Sequence, residues 1–441
     1  MSDTADRQLT RALDVVAQTE SKVHAYRHVL EREARLAAAT ADTNPLTSPI
    51  SGWPFAVKEV FDVAGVETSG GSQAFKDRIA TADATVVGRV RSAGGVLVGT
   101  QIAHELTCGC DQPPTRNPWN LDCYPGGSSA GAGVSVAVGS ARFALGTDAA
   151  GSVRIPAAMT GTTGLKPTWG LISAHGVMRQ ASAPSIDHVG IIARSAADIA
   201  QILPVIAGPD PWDPATLQTQ QAHEEAPQHN ARIAVLGDRT LKALAEIHPL
   251  DPDIKDAFSD ACAVFRQAGA EIIELELPTL PHAVEASVTF FSAELACANA
   301  KTLAERKADY NAAVVGVIET GLAIPADRLA QALRTRSRLR QEITSVLASA
   351  DAHFLLTPTT PQPAMPLSQL DPSKDLATLI PFTCGFNLTG NPAISLPCGL
   401  TRDGLPIGLQ IVSRHYTDAA LVELAQQYQE LTDWHRRHPH L

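Results

Sequence analysis

Lys58 stands in the run Pro54-Phe55-Ala56-Val57-Lys58-Glu59-Val60-Phe61, where a solvated ammonium is out of place among apolar neighbours. Burial disfavours the charged form and lowers the pKa, which turns a lysine into a base usable near neutral pH. The same run also fits an edge strand whose lysine snorkels to water and pairs with a carboxylate, and the segment alone leaves both readings open.

Two turns bring serines into similar company. Tyr124-Pro125-Gly126-Gly127-Ser128-Ser129-Ala130-Gly131-Ala132-Gly133 is a tight turn entering a helix of very small residues, where either serine would also serve as a plain N-cap. Gly146-Thr147-Asp148-Ala149-Ala150-Gly151-Ser152-Val153-Arg154-Ile155-Pro156 places a serine among residues too small to shield their backbone N–H groups. Such a turn can hold an oxyanion, although an ordinary surface turn has the same letters.

Other chemistries fit the letters less well. A glycine-rich turn before a helix resembles a phosphate cradle, but no G-K-[ST] follows here or in the stretch from Gly161 to Thr168. His104-Glu105 opens like a zinc-protease motif, yet the fifth position is Cys108, and the Cys108 and Cys110 spacing with Cys123 is not that of a structural zinc site. Gly127-Ser128-Ser129-Ala130-Gly131 matches G-x-S-x-G centred on Ser129, but a nucleophile elbow follows a buried strand. Here a polar, proline-containing loop from Asn117 to Pro125 precedes it. No metal and no cofactor is expected.

The elements that must carry these turns alternate. A core-rich chain of 441 residues, 44% hydrophobic, opens with Leu9, Leu13, Val16, Val23, Tyr26 and Leu30 at roughly helical spacing, which predicts one or two helices ending before Asn44-Pro45. Short apolar runs at Gly95–Gly99 and Phe143–Gly146 follow, then a helix at Ser195–Ile206, a strand at Arg232–Leu236, a helix at Pro252–Ala268 and a strand at Glu271–Leu277. A helical stretch from Val288 to Ala350 precedes strands at Phe354–Leu356, Ala393–Leu396 and Ile407–Val412, and a helix from Asp418 closes the chain. The interleaving predicts an α/β protein with helices on both faces of a buried sheet. The polar segment from Trp212 to Asn230 reads as a surface loop.

A net charge of -11 provides no basic footprint for nucleic acid. No apolar stretch reaches the length of a signal-peptide core or a membrane span, so no membrane partner is expected. Seven cysteines without regular spacing read as reduced thiols in a cytoplasmic protein.

Taken together, the block from Gly126 to Thr168, the segment Ser185-Ile186-Asp187-His188-Val189-Gly190, and the motifs Leu355-Leu356-Thr357-Pro358-Thr359 and Phe386-Asn387-Leu388-Thr389-Gly390-Asn391-Pro392-Ala393 resemble the amidase signature family in family order. The resemblance implies a three-layer α/β/α sandwich with a twisted, mixed central sheet. It implies one amidase-signature domain over residues 1–441 with its signature core at about 53–200. It implies Lys58 as base, Ser128 as a bridging serine usually preceded by a cis peptide, and Ser152 as nucleophile. It further implies an oxyanion hole from the backbone N–H groups of Ala149, Ala150, Gly151 and Ser152, with Asp148 and Arg154 supporting the loop. The activity expected is hydrolysis of a small-molecule carboxylic amide through an acyl-enzyme on Ser152.

The glutaminase subunit of a tRNA-dependent amidotransferase and a carbamate-cleaving relative are the alternatives, and a homodimer is compatible with all three. A non-catalytic scaffold is disfavoured by the intact Lys58, Ser128 and Ser152. Departures from the family's pattern are Ala150 where glycine is usual, Glu59 where aspartate is commoner, and a short stretch from Glu105 to Asn117, expected near the substrate entrance.

Overall fold

The computed structural model describes residues 4–43, 48–218 and 232–441. Its strands are β1 (Tyr26–Val29), β2 (Pro54–Lys58), β3 (Val96–Gln101), β4 (Phe143–Thr147), β5 (Thr163–Lys166), β6 (Val189–Ala193), β7 (Arg232–Leu236), β8 (Glu271–Leu275), β9 (Phe354–Pro358), β10 (Ala393–Leu400) and β11 (Pro406–Ser413). They form one 11-stranded sheet in the order β1-β3-β2-β4-β6-β5-β10-β11-β9-β7-β8. Strands β3, β2 and β4 run parallel, as do β8, β7 and β9, while β4–β6, β6–β5, β5–β10, β10–β11 and β11–β9 are antiparallel. The sheet is therefore mixed, as expected.

Alternation along each strand supplies both faces of the core. Phe55 and Val57 of β2, Leu97 of β3 and Phe143 and Leu145 of β4 join one apolar cluster with Ile199 and Ile202 of the helix Ala196–Ile206 and Tyr428 of the helix Asp418–Leu431. Ala56, Val96 and Val98 point to the opposite face, against Leu9, Leu13 and Val16 of the helix Ala5–Val23 and Val134 of the helix Ala130–Val138. Both faces being covered explains why β2 and β4 read as continuous apolar runs, with every residue buried.

Two expectations about the elements are corrected. The N-terminal region is two helices, Ala5–Val23 and Glu31–Thr43, but Tyr26 and its neighbours between them are β1. His24, at φ 49°, ends the first helix in the left-handed conformation, and β1 then pairs antiparallel with β3 at the sheet edge. The helical stretch before Ala350 begins at Ala283 and is three helices, Ala283–Arg306, Ala312–Leu322 and Ala326–Ser349. The Asn311 side chain accepts from Ala313 N–H and starts the second, and Pro325 precedes the third. The loop expected at Trp212 to Asn230 falls outside the described residues from position 219 onward. Among the described residues no helix is long and apolar enough to cross a membrane. All seven cysteines are free, and Cys297 alone is exposed.

Candidate active site

β2 and β4 are parallel neighbours, and Val57 pairs with Leu145, so Lys58 and Thr147 close the C-terminal ends of adjacent strands. Such strand ends are where open α/β sheets bind ligands. Lys58 is wholly buried on an interior strand, which removes the edge-strand reading. Its Nζ donates to Ser128 Oγ at 2.8 Å and to Thr147 Oγ1 at 2.9 Å. Burial pulls its pKa down to about 8, although the charges of Asp187, Asp148 and Glu59 pull the other way. Thr147 lay inside the motif around Ser152 but carried no expectation; only the register of β2 against β4 brings it to Lys58.

Ser128 follows a cis peptide bond from Gly127 and is buried. The turn has no room for a side chain at 127, because a Cβ there would lie 2.4 Å from His104 Nε2 and 2.6 Å from the Tyr124 hydroxyl. His104 N–H donates to the Ser128 carbonyl at 3.2 Å, while its ring nitrogens face Asp111 Oδ1 and Tyr124 Oη, each at 3.0 Å. Ser129 is occupied structurally: its hydroxyl donates to Thr147 O at 3.3 Å and its N–H donates to Ser152 O at 3.2 Å. That last bond ties the backbone beside Ser128 to Ser152 itself.

The loop from Asp148 to Ser152 is held by a buried ion pair. Asp148 Oδ1 accepts from Gly151 N–H at 2.7 Å and Oδ2 from Val153 N–H at 3.1 Å, and the carboxylate takes Arg154 Nη2 at 2.8 Å and Nε at 3.0 Å. Burial by itself would raise the Asp148 pKa. The Arg154 charge, hydrogen bonds from Arg154 and Asn387, and the Lys166 charge outweigh it and hold the carboxyl well below the usual carboxylate range. Gly151 sits at φ 132°, and a Cβ there would meet Thr383 Oγ1 at 2.6 Å and Ile155 Cδ1 at 2.7 Å, so only glycine fits. Among the described residues, no hydrogen bond within the protein engages the N–H groups of Ala149, Ala150 or Ser152.

The C-terminal motif reaches this loop too. Asn387 Nδ2 donates to Asp148 O at 2.6 Å, and its Oδ1 accepts from Arg154 Nη2 at 2.6 Å. Thr383 Oγ1 donates to Ala150 O at 2.5 Å. Neither contact was foreseen from sequence: Asn387 is one of several polar residues in its motif, and Thr383 lies just ahead of it.

Ser152 opens into a cavity of about 190 Å³ with Ala149 and Ala150 beside it. Thr107, Cys108 and Cys110, from the short stretch after Glu105, line it as well. A larger cavity of about 360 Å³ touches Thr147, Asp187 and His188 but not Ser152.

A family model described as Amidase matches residues 8–422. The chain belongs to the amidase family. This amidase is 32% identical to a glutamyl-tRNA(Gln) amidotransferase subunit of Geobacter metallireducens, over 97% of this chain and 94% of that protein. Among solved structures it is similar to 6-aminohexanoate cyclic dimer hydrolase in complex with substrate (26% identity, TM-score 0.86, 99% and 95% of the two chains). It is also similar to the peptide amidase PAM in complex with chymostatin (28% identity, TM-score 0.85, 99% and 96%). Membership and fold agree, and the chain is a hydrolase acting on amide bonds.

Proposed function

We propose that this amidase cleaves a small-molecule carboxylic amide to acid plus ammonia or amine through an acyl-enzyme on Ser152, and that the whole chain acts as one unit. The observation that carries the reading is the 2.8 Å contact between a fully buried, pKa-depressed Lys58 and Ser128, with Ser129 binding the Ser152 backbone alongside.

In the proposed sequence neutral Lys58 takes the Ser128 proton as Ser128 takes that of Ser152, and Ser152 Oγ attacks the carbonyl carbon. The developing oxyanion is met by the N–H groups of Ala149, Ala150 and Ser152. Gly151 N–H already donates to Asp148, so its part is to hold the loop rather than to meet the oxyanion. Collapse breaks the C–N bond, and the proton returns from Lys58 through Ser128 to the leaving nitrogen. Water then attacks the ester by the same route and releases Ser152. The Asp148–Arg154 pair keeps the donors in place.

The test is rapid-quench mass spectrometry during turnover of a poor amide or an activated ester. The reading expects an acyl mass on the peptide containing Ser152, absent from Ser152→Ala. An acyl mass on Ser129 or on a cysteine instead would refute it.

A second reading is favoured by one observation, the near full-length similarity to proteins named as amidotransferase subunits. A glutaminase subunit would hydrolyse glutamine and be accelerated by partner subunits. A carbamate-cleaving activity uses the same nucleophile and is separated from both by the substrate alone.

A further inference from the structure

We infer that the Ser152 cavity selects amides with a compact, uncharged, apolar acyl group, of benzoyl or short branched-chain size, and rejects acyl groups that carry a carboxylate or an ammonium. The inference deepens the function proposed above and rests on Ser152 being the nucleophile.

None of the residues lining the cavity carries a charged side chain. Its walls are Ile155, Val288, Phe291, Val317 and Ile380. A substrate carboxylate or ammonium placed among these loses its water and finds no opposite charge, and an unpaired buried charge is strongly disfavoured. Free glutamine carries one of each beyond its amide.

The neutral polar groups on the walls, Thr107, Cys108, Cys110, Ser287 and Ser292, offer no charge to pair with a substrate ion. Thr107 Oγ1 already donates to Ala181 O at 2.9 Å, and Ser287 Oγ points to Cys384 O at 3.5 Å. Cys108 is buried, which pushes its thiol pKa well up and keeps it an uncharged, polarisable wall.

Size sets the upper limit. A dry apolar cavity of about 150 Å³ accepts one benzene ring. The 190 Å³ here holds such a ring plus little more, and the Ala150 methyl takes space beside the nucleophile where a glycine would not. A six-membered ring or a branched four-carbon chain therefore fills the cavity, and longer chains must project out of it.

The test is a panel of benzamide, isobutyramide, L-glutamine and succinamic acid with the purified full chain, run beside Ser152→Ala, and a titration with phenylboronic acid, which adds to serine hydroxyls. The expected result is kcat/KM for the two neutral amides more than about a hundredfold above the two charged ones. Phenylboronic acid should bind the wild type and not Ser152→Ala. Val288 lines the cavity yet is 44% exposed, so Val288→Arg brings in a cation without burying it and should raise the relative rate on succinamic acid.

Glutamine or succinamic acid turned over as fast as the neutral amides, with Ser152→Ala dead, overturns the cavity inference and leaves the nucleophile standing. Turnover of neutral amides that persists in Ser152→Ala overturns the nucleophile. If no amide in the panel reacts, the boronate decides: failure to bind the wild type overturns the inference, and Ser152-dependent binding supports it.

Discussion

Replacing Asp187 with Asn should move the acid limb of the kcat/KM profile to lower pH, because Asp187 is the strongest charge acting on the lysine proposed as base. Asp187 is half-buried at the wall of the cavity of about 360 Å³, its Oδ2 accepts from Ser182 Oγ at 3.1 Å and its Oδ1 from His188 N–H at 3.0 Å. Burial raises its own pKa to about 7, against the pull of Lys58. The two groups are coupled, and an ionised Asp187 favours the ammonium form of Lys58. Asn keeps the shape and the acceptor oxygen but removes that charge, and the neutral, proton-accepting form of Lys58 then persists to lower pH.

The size of the shift follows from Coulomb's law. Two unit charges about 4 Å apart interact by ~4 kcal/mol at an effective dielectric of ~20, which is a ceiling of about three pH units. The hydrogen bonds of Lys58 go to Ser128 and Thr147 and none to Asp187, so the effect acts from beyond contact, and about one unit, or ~1.4 kcal/mol, is expected. The assay is kcat/KM between pH 5 and 10 on one amide for both forms, with the alkaline plateau as internal reference. An acid limb that stays in place, or moves to higher pH, would refute the assignment of Lys58 as the group that must lose a proton.

Five further variants have defined outcomes. Ser152→Ala abolishes turnover, and Ser128→Ala is milder where water fills the bridge. Lys58→Arg stays inactive at every pH tested, since a guanidinium does not deprotonate in proteins; substantial activity would show that position 58 supplies only charge. Gly127→Ala puts a methyl within 2.6 Å of the Tyr124 hydroxyl and displaces the turn, so kcat falls by more than about tenfold; an unchanged kcat would mean that Ser128 need not be held where it is. Asp148→Asn leaves Arg154 buried without its counter-charge and costs about 3–5 kcal/mol of stability, read as a drop in melting temperature. Because the folded pKa of Asp148 is depressed, this stability is present above its unfolded value of about 3.9 and is lost as pH falls through the folded value, so wild type and variant converge in acid.

The sequence made the strands legible where both faces are covered, as in Phe354–Leu356, because a run buried on two sides is apolar. It did not reveal β1. Tyr26 and Leu30 are buried or half-buried at spacings that suit a helix, and the deciding event is the left-handed turn at His24 followed by pairing with β3, a long-range contact that no local pattern contains. The same limit applies at the site. Lys58, Ser128 and Ser152 stand in motifs whose small residues invite attention, and the structure does bring Lys58 to Ser128 and the Ser129 N–H to Ser152. Thr147, Asn387, Thr383 and Gln410 do their work across strand register or more than two hundred residues of chain, where spacing carries no information.

Those distant contacts explain how one buried region holds a fully paired guanidinium and, beside it, a lysine whose pKa is lowered. A guanidinium has five N–H groups, and Arg154 spends them on both Asp148 oxygens, Asn387 Oδ1, Thr383 O and Gln410 Oε1, so its burial is matched bond for bond. Lys58 has only the hydroxyls of Ser128 and Thr147, both neutral, with its carboxylates acting from a distance, so desolvation wins and its pKa falls. Gln410 Nε2 in turn donates to Thr357 Oγ1 at 2.8 Å and Phe382 O at 2.8 Å, which links the pair to β9 of the C-terminal half. In the proposed mechanism the charged pair fixes the oxyanion loop and the under-solvated lysine takes the proton, two roles set by how many hydrogen bonds each cation is given.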